Sequence, residues 1–148
     1  MKAALLNDHG GLRTFALVLA TADEAMGAIT AFAAEHHLRT TQFTAIGAFS
    51  RVVVAYFDWE AKEYRHTSIS EQVEVLSLMG DITFESGKPR VHAHVVVSKA
   101  DATAHGGHLV AGYVRPTLEI IVTETPAHLQ RRFDPETGLA LINPPAGG

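Results

Sequence analysis

Apolar positions along this chain follow two periods. At Ala25, Met26, Ile29, Phe32 and Ala33 they recur at three and four residues, which puts them on one face of a helix. Elsewhere they come in short runs rich in Val, Ile, Thr and aromatic residues, the pattern of strands. The helix is expected over Ala22 to His36. Thr21-Ala22-Asp23-Glu24 matches a capping box, with Thr21 accepting from the Glu24 backbone N–H while the Glu24 side chain reaches back. Leu12 to Ala20 predicts a first strand, announced by a turn at Gly10-Gly11. Phe43 to Phe49, Arg51 to Trp59 and Glu63 to Ser68 predict further strands, with Asp58 to Glu63 as a hairpin connection. Val73 to Phe84 predicts a longer strand interrupted at Gly80 by a bulge or a close backbone approach.

Ser86-Gly87-Lys88-Pro89 then turns the chain into a strand in which Val91, Ala93, Val95 and Val97 alternate with His92, His94 and Val96. Lys99 to Gly107 has loop composition, and Gly106-Gly107 allows positive φ or a close backbone approach. Thr117 to Thr123 predicts a strand opened by Pro116, with Thr117, Glu119 and Ile121 on one face and Leu118, Ile120 and Val122 on the other. Asp134 to Gly138 reads as a turn into a last strand, Leu139 to Ile142, and Pro144 to Gly148 as a frayed tail. With no internal repeat and no linker-like break, the expectation is one α+β domain over residues 1–148, its core about 12–142, with a largely antiparallel sheet.

Composition narrows the function classes. A chain of 148 residues buries about 70% of the surface it would expose unfolded, enough for a real core. A formal charge of −4 gives no basic footprint for phosphate binding. The absence of cysteine removes disulfides and thiolate ligands, leaves histidine and carboxylate for any metal, and suits a reducing compartment. No stretch approaches the roughly 18 apolar residues of a membrane span, and the first residues do not form a secretory segment, so a soluble cytoplasmic protein is expected.

The chemistry centres on His92 and His94. At alternate positions of a strand they share a face, with α-carbons about 7 Å apart, and their rings can converge on one ion. His108, just after the glycine pair, is the candidate third ligand, and His105 is its rival. Three imidazoles with an open position is a common way to hold catalytic zinc, so zinc is the first candidate, with iron, nickel and copper open on ligand type. The bland alternative makes all three structural or subunit contacts. His36 and His37 fall at the helix end, where an imidazolium complements the dipole. Glu119 is a candidate catalytic base or hydrogen-bond partner of a ligand, against a salt bridge with Arg115 or Arg90, and Glu74 is a weaker candidate of the same kind. Lys88 and Arg90 are placed to meet an anionic ligand, or are simply solvated. Tyr56, Trp59 and Tyr64 offer stacking surfaces for nucleotides, or cross-strand packing or a trimer contact.

One ordered set of motifs carries a resemblance. Glu71 to Ile82 (EQVEVLSLMGDI), Gly87-Lys88-Pro89, His92-Ala93-His94, Gly106-Gly107-His108-Leu109 and Pro116-Thr117-Leu118-Glu119 resemble the PPC domain family, long a domain of unknown function and often labelled PD1-like DNA-binding. The likeness runs from about Phe15 to Ile142 and fits the prokaryotic stand-alone type. It implies a strongly bent antiparallel sheet packed by one helix, a homotrimer, and a metal site of His92, His94 and His108. The fold is similar to that of acetolactate decarboxylase, a zinc enzyme with an HxH pair and a third histidine. In plants the similar domain follows AT-hooks and mediates self-association. This chain has no Arg-Gly-Arg-Pro core, and its nearest basic cluster is Gln130-Arg131-Arg132. The leading expectation is therefore a divalent-metal protein of small-molecule or regulatory role. Its enzymatic form is a metal-dependent lyase or hydrolase, and the competing class is a DNA-associated or protein-interaction module with structural histidines.

Overall fold

The computed structural model describes residues 1–85, 87–126 and 129–144. Its elements in chain order are β1 (Lys2–His9), β2 (Leu12–Ala20), α1 (Ala25–Glu35), β3 (Thr41–Asp58), β4 (Glu63–Ile69), β5 (Val73–Glu85), β6 (Lys88–Ser98), β7 (Ala104–Glu124), β8 (Gln130–Asp134) and β9 (Leu139–Asn143). Ser86 of the expected turn and all of the expected tail but Pro144 lie outside the described residues.

The strands form one sheet in the order β1-β2-β7-β3-β5-β8-β9, with β4 beside β3. β6 pairs with both β5 and β7, so β3, β5, β6 and β7 hydrogen-bond in a closed ring. Every pairing between these strands is antiparallel, and only the single bridge from β5 to β8 is parallel. Closing such a ring demands bent strands, and bulges supply the bend. β3 therefore runs through both expected strands, its register shifting near Gly47, Phe49 and Val53. Likewise β7 absorbs the end of the expected loop and continues to Glu124. Pro116 lies inside β7, where pairing with β3 is interrupted between Val114 and Leu118, so its missing N–H removes no ladder bond.

Alternation buries one face of this sheet. Phe15, Leu17 and Leu19 of β2, Phe43 and Phe49 of β3, Leu78 and Ile82 of β5, Val95 and Val97 of β6, and Leu118, Ile120 and Val122 of β7 enclose Ile29, Phe32 and Ala33 of α1. The helix starts later than expected, and Thr21 is not its cap. Ala22 takes a left-handed conformation (φ 78°), and the Thr21 hydroxyl donates to the Pro116 carbonyl at 3.2 Å. Glu24 itself is the N-cap, its carboxylate accepting from the N–H groups of Met26 (3.1 Å) and Gly27 (2.7 Å). The same carboxylate accepts from Gly112 N–H at 3.2 Å, so the cap also ties α1 to β7, an attachment Thr21 could not make. At the other end His36 packs its ring on Phe15 and Phe32, with centroids 5.2 and 4.2 Å away. That makes it a packing residue as well as a helix terminus. No helix among the described residues is long and apolar enough to cross a membrane.

β1 and β8 have no counterpart in the expected elements. All of β1 is exposed, so no buried alternation marks it, and the short β8 offers only exposed and half-buried positions. In β5 the register shift falls between Val75 and Ser77, not at Gly80. Gly80 instead meets the expectation of a close approach. A Cβ there would lie 2.3 Å from the His92 carbonyl oxygen and 2.5 Å from Phe43 Cζ. Gly80→Ala is expected to lower stability by about 1–3 kcal/mol, since backbone on one side and a fully buried ring on the other must shift. A shift of the urea midpoint with unchanged slope would report it.

Candidate metal centre

The site lies on the sheet face away from α1 and follows from strand register. Asp81 of β5 is directly opposite His92 of β6, and His94 of β6 is directly opposite His108 of β7. Directly opposed residues share a face, so the three imidazoles and Asp81 stand together. One ligand-capable atom from each of His92, His94 and His108 lies within 4.8 Å of the others. Ring centroids are 5.1 Å apart for His92 with His94 and with His108, and 5.5 Å for His94 with His108. Gly106 and Gly107 make this approach feasible. A Cβ on Gly106 would sit 2.6 Å from the Val95 carbonyl oxygen, and one on Gly107 2.7 Å from that of Ala55. His105, three positions from His108 on the same strand, faces the other way and contacts Thr103 instead.

The cluster is suited to holding a cation but not protons. Burial, reinforced by the nearby His92, His94 and Arg90 charges, pushes His108 down to about 4 from its ordinary value of 6.5. Burial and then the His92 charge also lower His94. Neutral rings with free lone pairs are what a metal ion requires. The Nδ1 atom of His108 is buried and has no hydrogen-bond partner among the described residues. Leaving a buried polar atom unpaired costs about 1–3 kcal/mol, and a bound ion is one way to relieve a lone pair so placed. The residues present therefore fit a divalent metal.

Asp81 and Arg131 border the cluster, and sequence reasoning assigned neither. Arg131 Nη2 donates to both Asp81 carboxylate oxygens at 2.8 and 3.0 Å. His92 Nδ1 lies 3.5 Å from Asp81 and 3.3 Å from Arg131. Burial pushes the Asp81 carboxyl up, but the neighbouring His92 and the hydrogen bonds and charge of Arg131 outweigh it and hold the group below its usual range. Tyr64 lays its ring against His108 with centroids 4.8 Å apart. A cleft beside the rings is lined by Tyr64, Arg90, His92, His108, Arg131 and Leu141.

The other candidates are distributed elsewhere. Glu119 lies near the far end of β7, opposite Val18 and Ile46, in an apolar groove with Leu76 and Ile121. A single chain does not bring it to the histidines. Glu74 borders the same region. Lys88 opens β6, and the Arg90 guanidinium reaches Glu85 at 3.7 Å. Trp59 and Tyr64 both pack on Phe57, while Lys62 Nζ lies 3.1 Å over the Trp59 ring, so these two aromatics are used in packing, whereas Tyr56 stays largely exposed.

A titration checks the electrostatics. Between pH 6.5 and about 4 the unfolded chain protonates His108 while the metal-free folded chain does not. Stability contributed above pH 6.5 is therefore lost as pH falls through that window. Urea midpoints should drop across it, and His108→Gln should make the drop shallower.

With this geometry in place, likeness to other proteins becomes informative. The chain is 28% identical over 132 residues to the bifunctional protein GlmU of Synechococcus sp. (strain JA-3-3Ab), covering 87% of this chain and 20% of that one. It thus spans about a fifth of the length of that curated relative. Among solved structures, the metal-containing protein AF0104 from Archaeoglobus fulgidus is 34% identical with a TM-score of 0.81, over 86% of this chain and 91% of that one. A Ralstonia eutropha JMP134 protein whose description proposes DNA binding is 27% identical with a TM-score of 0.85, over 95% and 96% of the two chains. A Staphylococcus aureus protein of unknown function, similar to alpha-acetolactate decarboxylase, shares the fold alone, at 13% identity and a TM-score of 0.55 over 74% of this chain and 51% of that one. The model of the Plants and Prokaryotes Conserved (PCC) domain, also abbreviated PPC, matches residues 7–126, and the chain belongs to that family.

Proposed function

We propose that this protein binds a divalent metal, zinc first, through His92, His94 and His108, and works as a cytoplasmic homotrimer in a small-molecule or regulatory role. The observation that carries the reading is the buried, unpartnered His108 Nδ1 within a cluster of three imidazoles whose ligand atoms lie within 4.8 Å of one another. The likeness to a protein described as metal-containing supports it. Zinc held by these three histidines would supply a Lewis acid. This chain's part is to keep His94 and His108 neutral, to cover His108 with the Tyr64 ring, and to present the exposed Arg90 guanidinium to a small anionic ligand in the adjoining cleft. In the enzymatic form, a lyase or hydrolase, Glu119 serves as base only if a second protomer carries it to the histidines.

The trimer is supported by the outer face of the sheet. Ile46, Leu76, Met79 and Ile121 are each about half exposed there around an apolar groove, a surface that assembly would cover.

The second reading, direct DNA binding, is favoured by a relative whose description proposes it and opposed by the net charge of −4. Duplex affinity falling steeply with salt would support it, and no binding at low salt would remove it.

Purified protein is expected to carry one metal ion per chain by elemental analysis and to lose it in the His92→Ala, His94→Ala double variant. Undiminished metal in that variant would sink the assignment. The native mass should correspond to three chains, and Ile46→Glu with Ile121→Glu should reduce it to one.

A further inference from the structure

The histidine cluster has an attachment that the family match does not cover. That match ends at residue 126, whereas Arg131 comes from β8, in the hairpin that follows. The hairpin joins the sheet through the Phe84–Gln130 bridge, which sets Arg131 beside Thr83 and Asp81 of β5. The Arg131 side chain is only 8% exposed, and each of its guanidinium nitrogens donates a hydrogen bond. Nε donates to Thr83 Oγ1 at 3.0 Å, Nη1 to the Ala140 carbonyl at 2.8 Å, and Nη2 to both Asp81 oxygens at 2.8 and 3.0 Å. This leaves Asp81 fixed in orientation beside His92 Nδ1.

A neutral imidazole has one N–H and one lone pair, and the partner of one nitrogen decides which nitrogen can ligate. At Nδ1 of His92 two partners compete. Arg131 Nη2, at 3.3 Å, would donate to the ring and leave the proton on Nε2, which blocks ligation. Asp81, at 3.5 Å, would accept from the ring, keep the proton on Nδ1 and free Nε2. Nη2 already donates to the carboxylate at shorter range, and a carboxylate is the stronger partner for a ring N–H. The competition therefore favours Asp81.

We propose that Arg131 and Asp81 form a positioning clamp in which the C-terminal hairpin holds the Asp81 carboxylate against His92 Nδ1, fixing the ring's tautomer with Nε2 free to ligate. The clamp rests on the metal reading for its purpose but not for its existence. Asp81 and Arg131 are positioning residues, since neither is placed as a ligand.

The test uses the full chain. In metal-free protein at neutral pH, long-range proton–nitrogen correlation spectra should show His92 protonated on Nδ1. Arg131→Met, which keeps the apolar stem and removes the fork, and Asp81→Ala should each shift His92 toward Nε2 protonation. Amide signals of β9 report whether the hairpin stays docked, and Asp81→Ala keeps the test open if Arg131→Met does not fold. Nε2 protonation in the wild type, or an unchanged tautomer in both folded variants, would overturn the clamp. Zinc titration against a chromophoric chelator then reads its purpose. Affinity should fall about 10–100-fold in either variant, and Arg131→Lys should recover only part of it. A wild type that binds no zinc yet shows the clamped tautomer would refute the metal centre and leave the clamp standing.

Discussion

Everything at the candidate centre depends on how β6 meets β7. That pairing closes the ring of β3, β5, β6 and β7, and it fixes His94 opposite His108. A slip of one residue would turn His108 to the other face and leave the HxH pair without a third ring. Gly106 and Gly107 protect the register, because a side chain at either position would collide with the carbonyl of Val95 or of Ala55. The same two glycines thus serve closure of the sheet and convergence of the rings. Local geometry of the backbone and chemistry of the site are here one constraint.

Around that constraint the electrostatics are layered. His94 and His108 are kept neutral by burial and by the neighbouring ring charges, with His108 lowered to about 4. Outside them sits an ion pair, Asp81 with Arg131, whose charges are largely spent on each other. Cation-binding capacity therefore lies in lone pairs rather than in net negative charge, which suits a borderline-soft ion better than calcium or magnesium. The cleft beside the rings is lined by Arg90 and Arg131 as well as by His92 and His108, so a ligand held there lies among positive charges and imidazoles together.

Much of this was legible in the sequence, and the failures have specific causes. The spacing of His92 and His94 placed them on one face, and the helix stripe from Ala25 to Ala33 marked the buried side of α1. The alternation of Leu118, Ile120 and Val122 against Glu119 and Ile121 was also readable. His105 could have been set aside by strand parity, had residues 104–107 been read as strand rather than loop. Thr21 was misread because a capping box is a local pattern, whereas Glu24 gains a third bond from Gly112, 88 residues away. Asp81 and Arg131 lie 50 residues apart, and nothing local announces that a strand register and a hairpin will bring them together. The strand β1 was hidden for a simpler reason: with both faces exposed it leaves no hydrophobic alternation to read.

The hairpin of β8 and β9 carries a consequence for where this domain ends. The PCC domain model matches only as far as residue 126, but the hydrogen bonds run on, since Arg131 reaches back to two residues of β5 and its neighbours wall the cleft, and likeness to the Ralstonia protein also extends over 95% of the chain. A segment less constrained than the ring can vary in length and side chain while the ring is kept. Two relatives with the same three histidines could then differ in how firmly His92 is held and in what shape of ligand fits beside it. A difference of that kind would lie in the hairpin and leave the histidine motif unchanged.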